Sequence, residues 1–318
     1  MNRTVSDSDS GDTGRPSLAV DIGGVQMRNP VMVASGTFGY GPEYADLVDL
    51  NTLGAIVVKG ILSEPWPGNP VPRLVEVPGG LINAIGLQNP GVDGFVSTYM
   101  PFLRRYDVPV IVNIWGRTVD EYGEVAARFD DVEGIAGLEL NISCPNIKEG
   151  GHIFGTDPAV TAEVVRVCRR ASRLPLIPKL APNVSDIGLF ARICETEGAD
   201  AISLINSIPA MAIDVETRRP VLANKFGGLT GPAVHAVAVK LVWQAAQAVS
   251  IPIIGMGGIV SGNDALEFLL AGASAVAVGS ANFTDPSTAG RVIDAIRDYL
   301  NRHDIDDVNT LVGSVDMS

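Results

Sequence analysis

Cysteine is scarce in this chain, with three residues in 318, at positions 144, 168 and 194. So few thiols, so far apart, exclude a disulfide framework, a zinc site or an iron–sulfur cluster held by this chain alone, and they fit a reducing cytoplasm. Runs of Lys and Arg are also missing, against a formal net charge of −13. An acidic protein repels phosphate backbones, which removes nucleic acid from the expected partners and leaves small molecules and proteins. Long hydrophobic runs are absent as well. The longest, "FLLAGASAVAVG" at 268–279, is shorter than a membrane span and interrupted by glycine, and no cleavable signal opens the chain. The expectation is a soluble protein. No GxGxxG stands between a strand and a helix, so a dinucleotide-binding Rossmann unit is disfavoured.

What is present is a hydrophobic fraction of 46%, enough for a large core. Short β-branched runs recur along the chain: "VMVASG", "AIVVKG", "VPVIVNIWG", "GLELNIS", "PLIPKLAP", "AISLINS", "IPIIGMGG" and "AVAVGS". Continuously apolar strands imply burial on both faces. Between most of them lie segments of helical period, such as "DEYGEVAARFDD" and "PAVTAEVVRVCRRAS". Strand then helix, eight times, at about 40 residues per unit, predicts a (β/α)8 TIM barrel, with a doubly wound sheet as the alternative. The domain expectation is a disordered acidic tail over 1–16, the barrel over 17–303 and a loosely attached C-terminal tail over 304–318.

Functional groups in such barrels sit where the strands end. Here those ends carry Ser35, Lys59, Asn113, Asn141, Lys179 and Asn206, then the glycine loops at Gly257–Gly258 and Gly279–Ser280. Glycines allow backbone N–H groups to approach an anion closely, so the last two loops read as a phosphate cradle, with "GGLTGPA" at 227–233 a third glycine-rich turn. "NISCPN" at 141–146 sets Cys144 at the end of the fourth strand, whereas Cys168 and Cys194 fall inside amphipathic helices and read as small buried hydrophobes. The segment "PNIKEGGHIFGTD", with glycines at 150, 151 and 155, reads as a lid; His152 and Lys148 within it receive no chemical role. A strand-end lysine also suits a Schiff-base aldolase or synthase, which keeps Lys59 and Lys179 open to a second chemistry.

Taken together, "ASGTFGYG", "VKG", "NAIGLQNPG", "NISCPN", "PKLAPN", "INSIPAMAID" and the glycine loops resemble dihydroorotate dehydrogenase, in family order from about residue 17 to 300. Cysteine in "NISCPN" resembles the class 1 enzymes, and "GNPVPRLVEVPGGLINAIGLQNPG" is most similar to subclass 1B, with the fumarate-dependent subclass 1A as the alternative. The resemblance implies an FMN-dependent oxidation of dihydroorotate to orotate in pyrimidine biosynthesis, without metal in this chain. It also implies a partner subunit carrying FAD and a 2Fe-2S cluster that passes electrons to NAD+, and a homodimeric core.

Residue by residue, the resemblance makes Cys144 the catalytic base. A free thiol titrates at about 8.5, so activity is expected to rise into mildly alkaline pH. The substrate set it implies is Asn83, Asn141, Asn146 and Asn206 with Ser207, whose amides offer a donor and an acceptor without charge. Lys59 is expected between flavin and substrate carboxylate, with backbone N–H groups of Ile85, Gly86 and Leu87 nearby. For the cofactor it implies Ala34, Ser35 and Gly36 against the ring and Lys179 beside the pyrimidine. Asn113 and Asn141 are further flavin candidates, and Gly231, Gly257, Gly258, Gly279 and Ser280 are expected to hold the phosphate. Asn89 is a weaker candidate, and Trp115 and Tyr40 are read as packing. Cys144 and the asparagines favour flavin over Schiff-base chemistry for the two lysines.

Overall fold

In a computed structural model, residues 15–142 and 156–318 are described. Eight parallel strands form one sheet: Val31–Val33, Ala55–Ile61, Val110–Ile114, Gly137–Leu140, Leu176–Pro178, Ile202–Leu204, Ile253–Met256 and Ala275–Val278. Their spatial order starts at the sixth strand, runs through the seventh and eighth to the first, and continues to the fifth. A parallel bridge between Lys179 and Ser203 joins the fifth strand's end to the sixth, and Leu180 N–H donates to the Ser203 carbonyl at 2.8 Å. The sheet thus closes on itself as the expected barrel. Every residue of the first, third, fourth and eighth strands is buried, as continuous apolar runs require when helices cover one face and side chains fill the other.

The helices begin where local chemistry starts them. Thr118 accepts from Glu121 N–H, Asp157 from Ala159 and Val160, and Asp186 from Leu189, each satisfying a first-turn donor. Ser261 and Asp264 form a reciprocal capping box before Gly262–Ala271. Helix Thr288–Arg302 buries Val292, Ile293, Ile296 and Leu300 along one stripe against the barrel.

The structure departs from the sequence reading in four places. No α-helix follows the first strand: residues 34–54 contain one 3-10 turn, Leu50–Thr52, because "GTFGYGP" breaks helical continuation with three glycines and a proline. A hairpin, Val20–Ile22 with Val25–Met27, precedes the first strand; its apolar residues are buried, and Val25 and Met27 reach the backbone at the starts of the fourth and second strands. It plugs the amino-terminal end of the barrel. At the opposite end, two long insertions build an antiparallel sheet, ordered Ile208–Ala210, Gly227–Thr230, Gly80–Asn83, Leu74–Val77, over a small core of Ile82, Ala84 and Leu222. "GGLTGPA" is therefore mostly a strand, and Gly231 alone of its glycines has positive φ, at 107°.

The fourth departure is at the C-terminus. Residues after His303 are not loosely attached: Ser17 N–H donates to the Asp306 carbonyl, Val308 N–H to Ser17, and Gly313 N–H to Leu269. Val308 and Leu311 are buried, each removing apolar surface worth roughly 1.5–3 kcal/mol from water. Residues 1–14 of the expected tail lie outside the described residues. Among the described residues, no helix is long and apolar enough to cross a membrane.

Candidate functional site

A cavity of about 970 Å³ opens at the carboxyl ends of the strands, beneath the antiparallel sheet. The loop after the first strand contributes Ala34, Ser35 and Gly36; the second strand, Lys59; the fourth and fifth, Asn141 and Lys179. The loops after the sixth, seventh and eighth strands add Asn206, Ser207, Gly257, Gly258, Gly279 and Ser280. Asn83, Ile85, Gly86, Leu87 and Gly231 come down from the inserted sheet and its connections. Residues separated by more than 240 positions thus share one wall because the barrel brings every strand end to one rim.

Asn113 is placed differently. It is 1% exposed, does not line the cavity, and spends its amide nitrogen on Glu139 Oε2 at 2.6 Å. Cys144 and Asn146, and with them Lys148, His152 and the expected lid up to residue 155, lie outside the described residues. Asn89 is buried and structural: its Oδ1 accepts from Leu62 and Gly91 N–H, and its Nδ2 donates to the Leu87 carbonyl at 2.8 Å. Those bonds hold the 85–91 turn, where Gly86 and Leu87 both have positive φ.

Polar contacts organise the floor and walls. Lys179 Nζ donates to Ser35 Oγ at 3.3 Å and stands 3.6 Å from Glu139 Oε2. Asn206 Nδ2 donates to Asn141 Oδ1 at 3.2 Å, while Asn206 Oδ1 receives Ser207 N–H at 2.8 Å. Asn83 Nδ2 reaches the Gly228 carbonyl at 3.2 Å. Tyr122, on helix Val119–Asp130, donates its buried hydroxyl to the Asn141 carbonyl at 2.7 Å, which fixes the chain just before "SCPN". Two ammonium groups, neutral amides and apolar walls from Ile205, Met256 and Ile259 suit a flat, polar-edged, anionic ligand.

The glycine loops meet on the far side. Gly257 and Gly258 have φ of 137° and 70°, and a Cβ on Gly258 would fall 2.8 Å from the Gly231 carbonyl oxygen. Only a bare backbone permits that approach, and it leaves peptide groups rather than side chains facing the cavity. His235 braces this wall: one ring nitrogen lies 3.0 Å from the Gly257 carbonyl and the other 3.1 Å from Glu267. A phosphate-bearing cofactor fits these loops, the two lysines and the cavity volume.

Sequence reasoning missed several residues of the site. Thr37 and Asn183 line the cavity and stand in the quoted "ASGTFGYG" and "PKLAPN"; Lys225 and Phe226 line it without a local signal. Glu139 had a signal, a carboxylate inside an otherwise apolar strand. Burial pushes the thiols of Cys168 and Cys194 up to about 12, in keeping with their reading as inert core residues. Among the described residues, no cluster of His, Cys, Asp or Glu could hold a metal.

Comparison with known proteins adds to this geometry. The model of the family described as Dihydroorotate dehydrogenase matches residues 17–300. A protein named "Dihydroorotate dehydrogenase B (NAD(+)), catalytic subunit" from Citrifermentans bemidjiense is 55% identical over 303 residues, covering 95% of this chain and 99% of the relative. Proteins of the same name from Geotalea daltonii and Desulforudis audaxviator are 56% and 58% identical, over 95% and 93% of this chain and 99% and 96% of theirs. The solved structure titled DHODH in complex with ferulenol, from Eimeria tenella, shares the fold with a TM-score of 0.80 at 24% identity, over 96% of this chain and 90% of that one.

Proposed function

The chain belongs to the dihydroorotate dehydrogenase family, and from that premise we propose that it oxidises dihydroorotate to orotate in pyrimidine biosynthesis, as the catalytic subunit of a B-type, NAD+-linked enzyme. The observation that carries this reading is the convergence of Lys59, Lys179, Asn83, Asn141 and Asn206 on one cavity whose far wall is glycine backbone.

FMN, when bound, supplies a two-electron acceptor for hydride. The residues that would hold it are Ala34, Ser35 and Gly36 at the ring edge, Lys179 beside the pyrimidine, and Gly231, Gly257, Gly258, Gly279 and Ser280 at the phosphate. Asn113 would act from beneath, since its contact is with Glu139. Lys59 would neutralise the substrate carboxylate, with the Ile85–Leu87 backbone beside it. Asn83, Asn141, Asn146, Asn206 and Ser207 would read the ring's carbonyl and N–H edges. The Asn141–Asn206–Ser207 hydrogen bonds support this role, because they pre-orient two amides and so lower the entropy lost on binding. Cys144 would remove the proton from the substrate carbon. The Tyr122 bond to Asn141 supports a defined approach of the strand leading to it.

FAD and the 2Fe-2S cluster would belong to the partner subunit, around a homodimeric core of this chain. A cytoplasmic location accords with buried free thiols at Cys168 and Cys194.

The experiment is anaerobic mixing of the purified yellow protein with dihydroorotate, followed by separate additions of fumarate and of NAD+ with the partner subunit. Flavin bleaching by dihydroorotate, then reoxidation through the partner by NAD+, is the expected result. Reoxidation by fumarate without the partner would overturn the B-type assignment. Cys144→Ala should retain flavin and bleach far more slowly; unchanged bleaching would remove the thiol from its role.

A further inference from the structure

Beneath the cavity sits a carboxylate that does not line the ligand space. Glu139 is 2% exposed on the fourth strand, whose other residues are apolar. Its Oε1 accepts from Ser203 Oγ on the sixth strand at 2.8 Å, and its Oε2 from Asn113 Nδ2 on the third at 2.6 Å. The same Oε2 stands 3.6 Å from Lys179 Nζ at the end of the fifth strand. Lys179, itself 5% exposed, does line the cavity and also donates to Ser35 Oγ above it.

A barrel interior is packed more cheaply with apolar side chains, and a buried ion pair is weak evidence for stability, because desolvation offsets its Coulomb gain. Strand cohesion alone therefore does not account for Glu139. What the arrangement does accomplish is directional. Two neutral donors fix the carboxylate, and the carboxylate stands against an ammonium that also donates to Ser35 Oγ at the cavity floor. In a low-dielectric barrel such a charge acts strongly on whatever lies above it.

We infer that Glu139 is a positioning residue: it anchors the Lys179 ammonium at the cavity floor and holds it back from the ligand space, setting the positive potential presented to bound flavin. The inference rests on the FMN reading above. Glu139→Gln keeps the side-chain shape, since an amide can accept from Asn113 and donate to Ser203 Oγ, and removes only the charge.

The test equilibrates the FMN-saturated protein with a redox dye of known potential and reads the reduced flavin spectroscopically, with thermal unfolding as the control for folding. Glu139→Gln should raise the reduced-to-oxidised ratio on the order of tenfold at fixed dye potential. Lys179→Met should lower that ratio. In the Lys179→Met background Glu139→Gln should change it by only about twofold, whereas in Lys179→Arg, which keeps the charge, the larger effect should return. No change, a fall, or an equal rise in the Lys179→Met and native backgrounds would overturn the inference while leaving FMN binding intact. A wild-type protein that takes up no flavin would sink the functional reading itself.

Discussion

Gly228 offers a direct test of whether the inserted sheet shapes the active cavity. It lies in the strand Gly227–Thr230, and its carbonyl receives the Asn83 amide. A Cβ built on Gly228 would lie 1.9 Å from Ser207 Oγ and 2.5 Å from Ser207 Cβ, whereas ordinary contact begins at 3.4 Å. Rotating Ser207 removes the first clash. It cannot remove the second, which is short by about 0.9 Å and therefore needs backbone movement. Either the sheet lifts, carrying Asn83, or the 205–208 loop shifts, carrying Asn206 and Ser207. A displacement of about 1 Å in positioning residues costs roughly a hundredfold in rate, equivalent to about 2.7 kcal/mol of transition-state stabilisation.

Gly228→Ala should therefore lower kcat/KM for dihydroorotate about a hundredfold with flavin largely retained, because Gly257–Gly258, Gly279–Ser280 and Lys179 lie on other elements and only Gly231 follows the displaced strand. Adding Ser207→Gly deletes both clashing atoms and leaves the nearest neighbour, Ser207 Cα, at 3.7 Å. The double variant should return to the kcat/KM of Ser207→Gly alone. Steady-state kinetics on the flavin-replete enzyme decide the matter. A Gly228→Ala enzyme within about threefold of wild type, roughly 0.7 kcal/mol, would refute the reasoning.

Three further outcomes are expected. Iodoacetamide on the native protein at mildly alkaline pH should leave Cys168 and Cys194 unmodified, since burial holds both thiols at about 12; peptide mapping that finds either one labelled would contradict their burial. Asp130 is held down at about 2, chiefly by the backbone N–H of Arg173, with the Ser172 hydroxyl and Arg173 guanidinium adding against burial. A depressed carboxylate contributes stability above its ordinary range and loses it as pH falls, so the melting-temperature gap between wild type and Asp130→Asn should close between about pH 4 and pH 2. Leu311→Ala should cost about 3 kcal/mol in chemical denaturation, as for a buried leucine, and an effect below about 0.5 kcal/mol would mean the C-terminal segment is not docked.

Much of the site was legible because the barrel imposes a rule that sequence can use. Apolar strands end where their runs stop, and whatever polar residue follows is delivered to one rim. That rule placed Ser35, Lys59, Asn141, Lys179 and Asn206 around the cavity in advance. It misled at Asn113, whose side chain is turned to Glu139 below the floor, a pairing between neighbouring strands that no strand end signals. Local pattern could not reveal Lys225 or Phe226, whose approach depends on the pairing of Gly227–Thr230 with Gly80–Asn83. Nor could it reveal the docking of Val308 and Leu311, for two apolar residues in a polar stretch carry no period.

The amino-acid sequence by itself determined the alternation of strands and helices, the caps, and the residue types at the strand ends, since these depend on propensities and spacings within a few positions. Tertiary structure alone decided the partnerships: Glu139 with Asn113, Ser203 and Lys179, Gly228 with Ser207, and His235 with the Gly257 loop. Each joins groups from 21 to 64 positions apart, and no local preference encodes which strand will stand beside which. Closure of the barrel does that, by burying all eight strands at once and bringing their ends into contact.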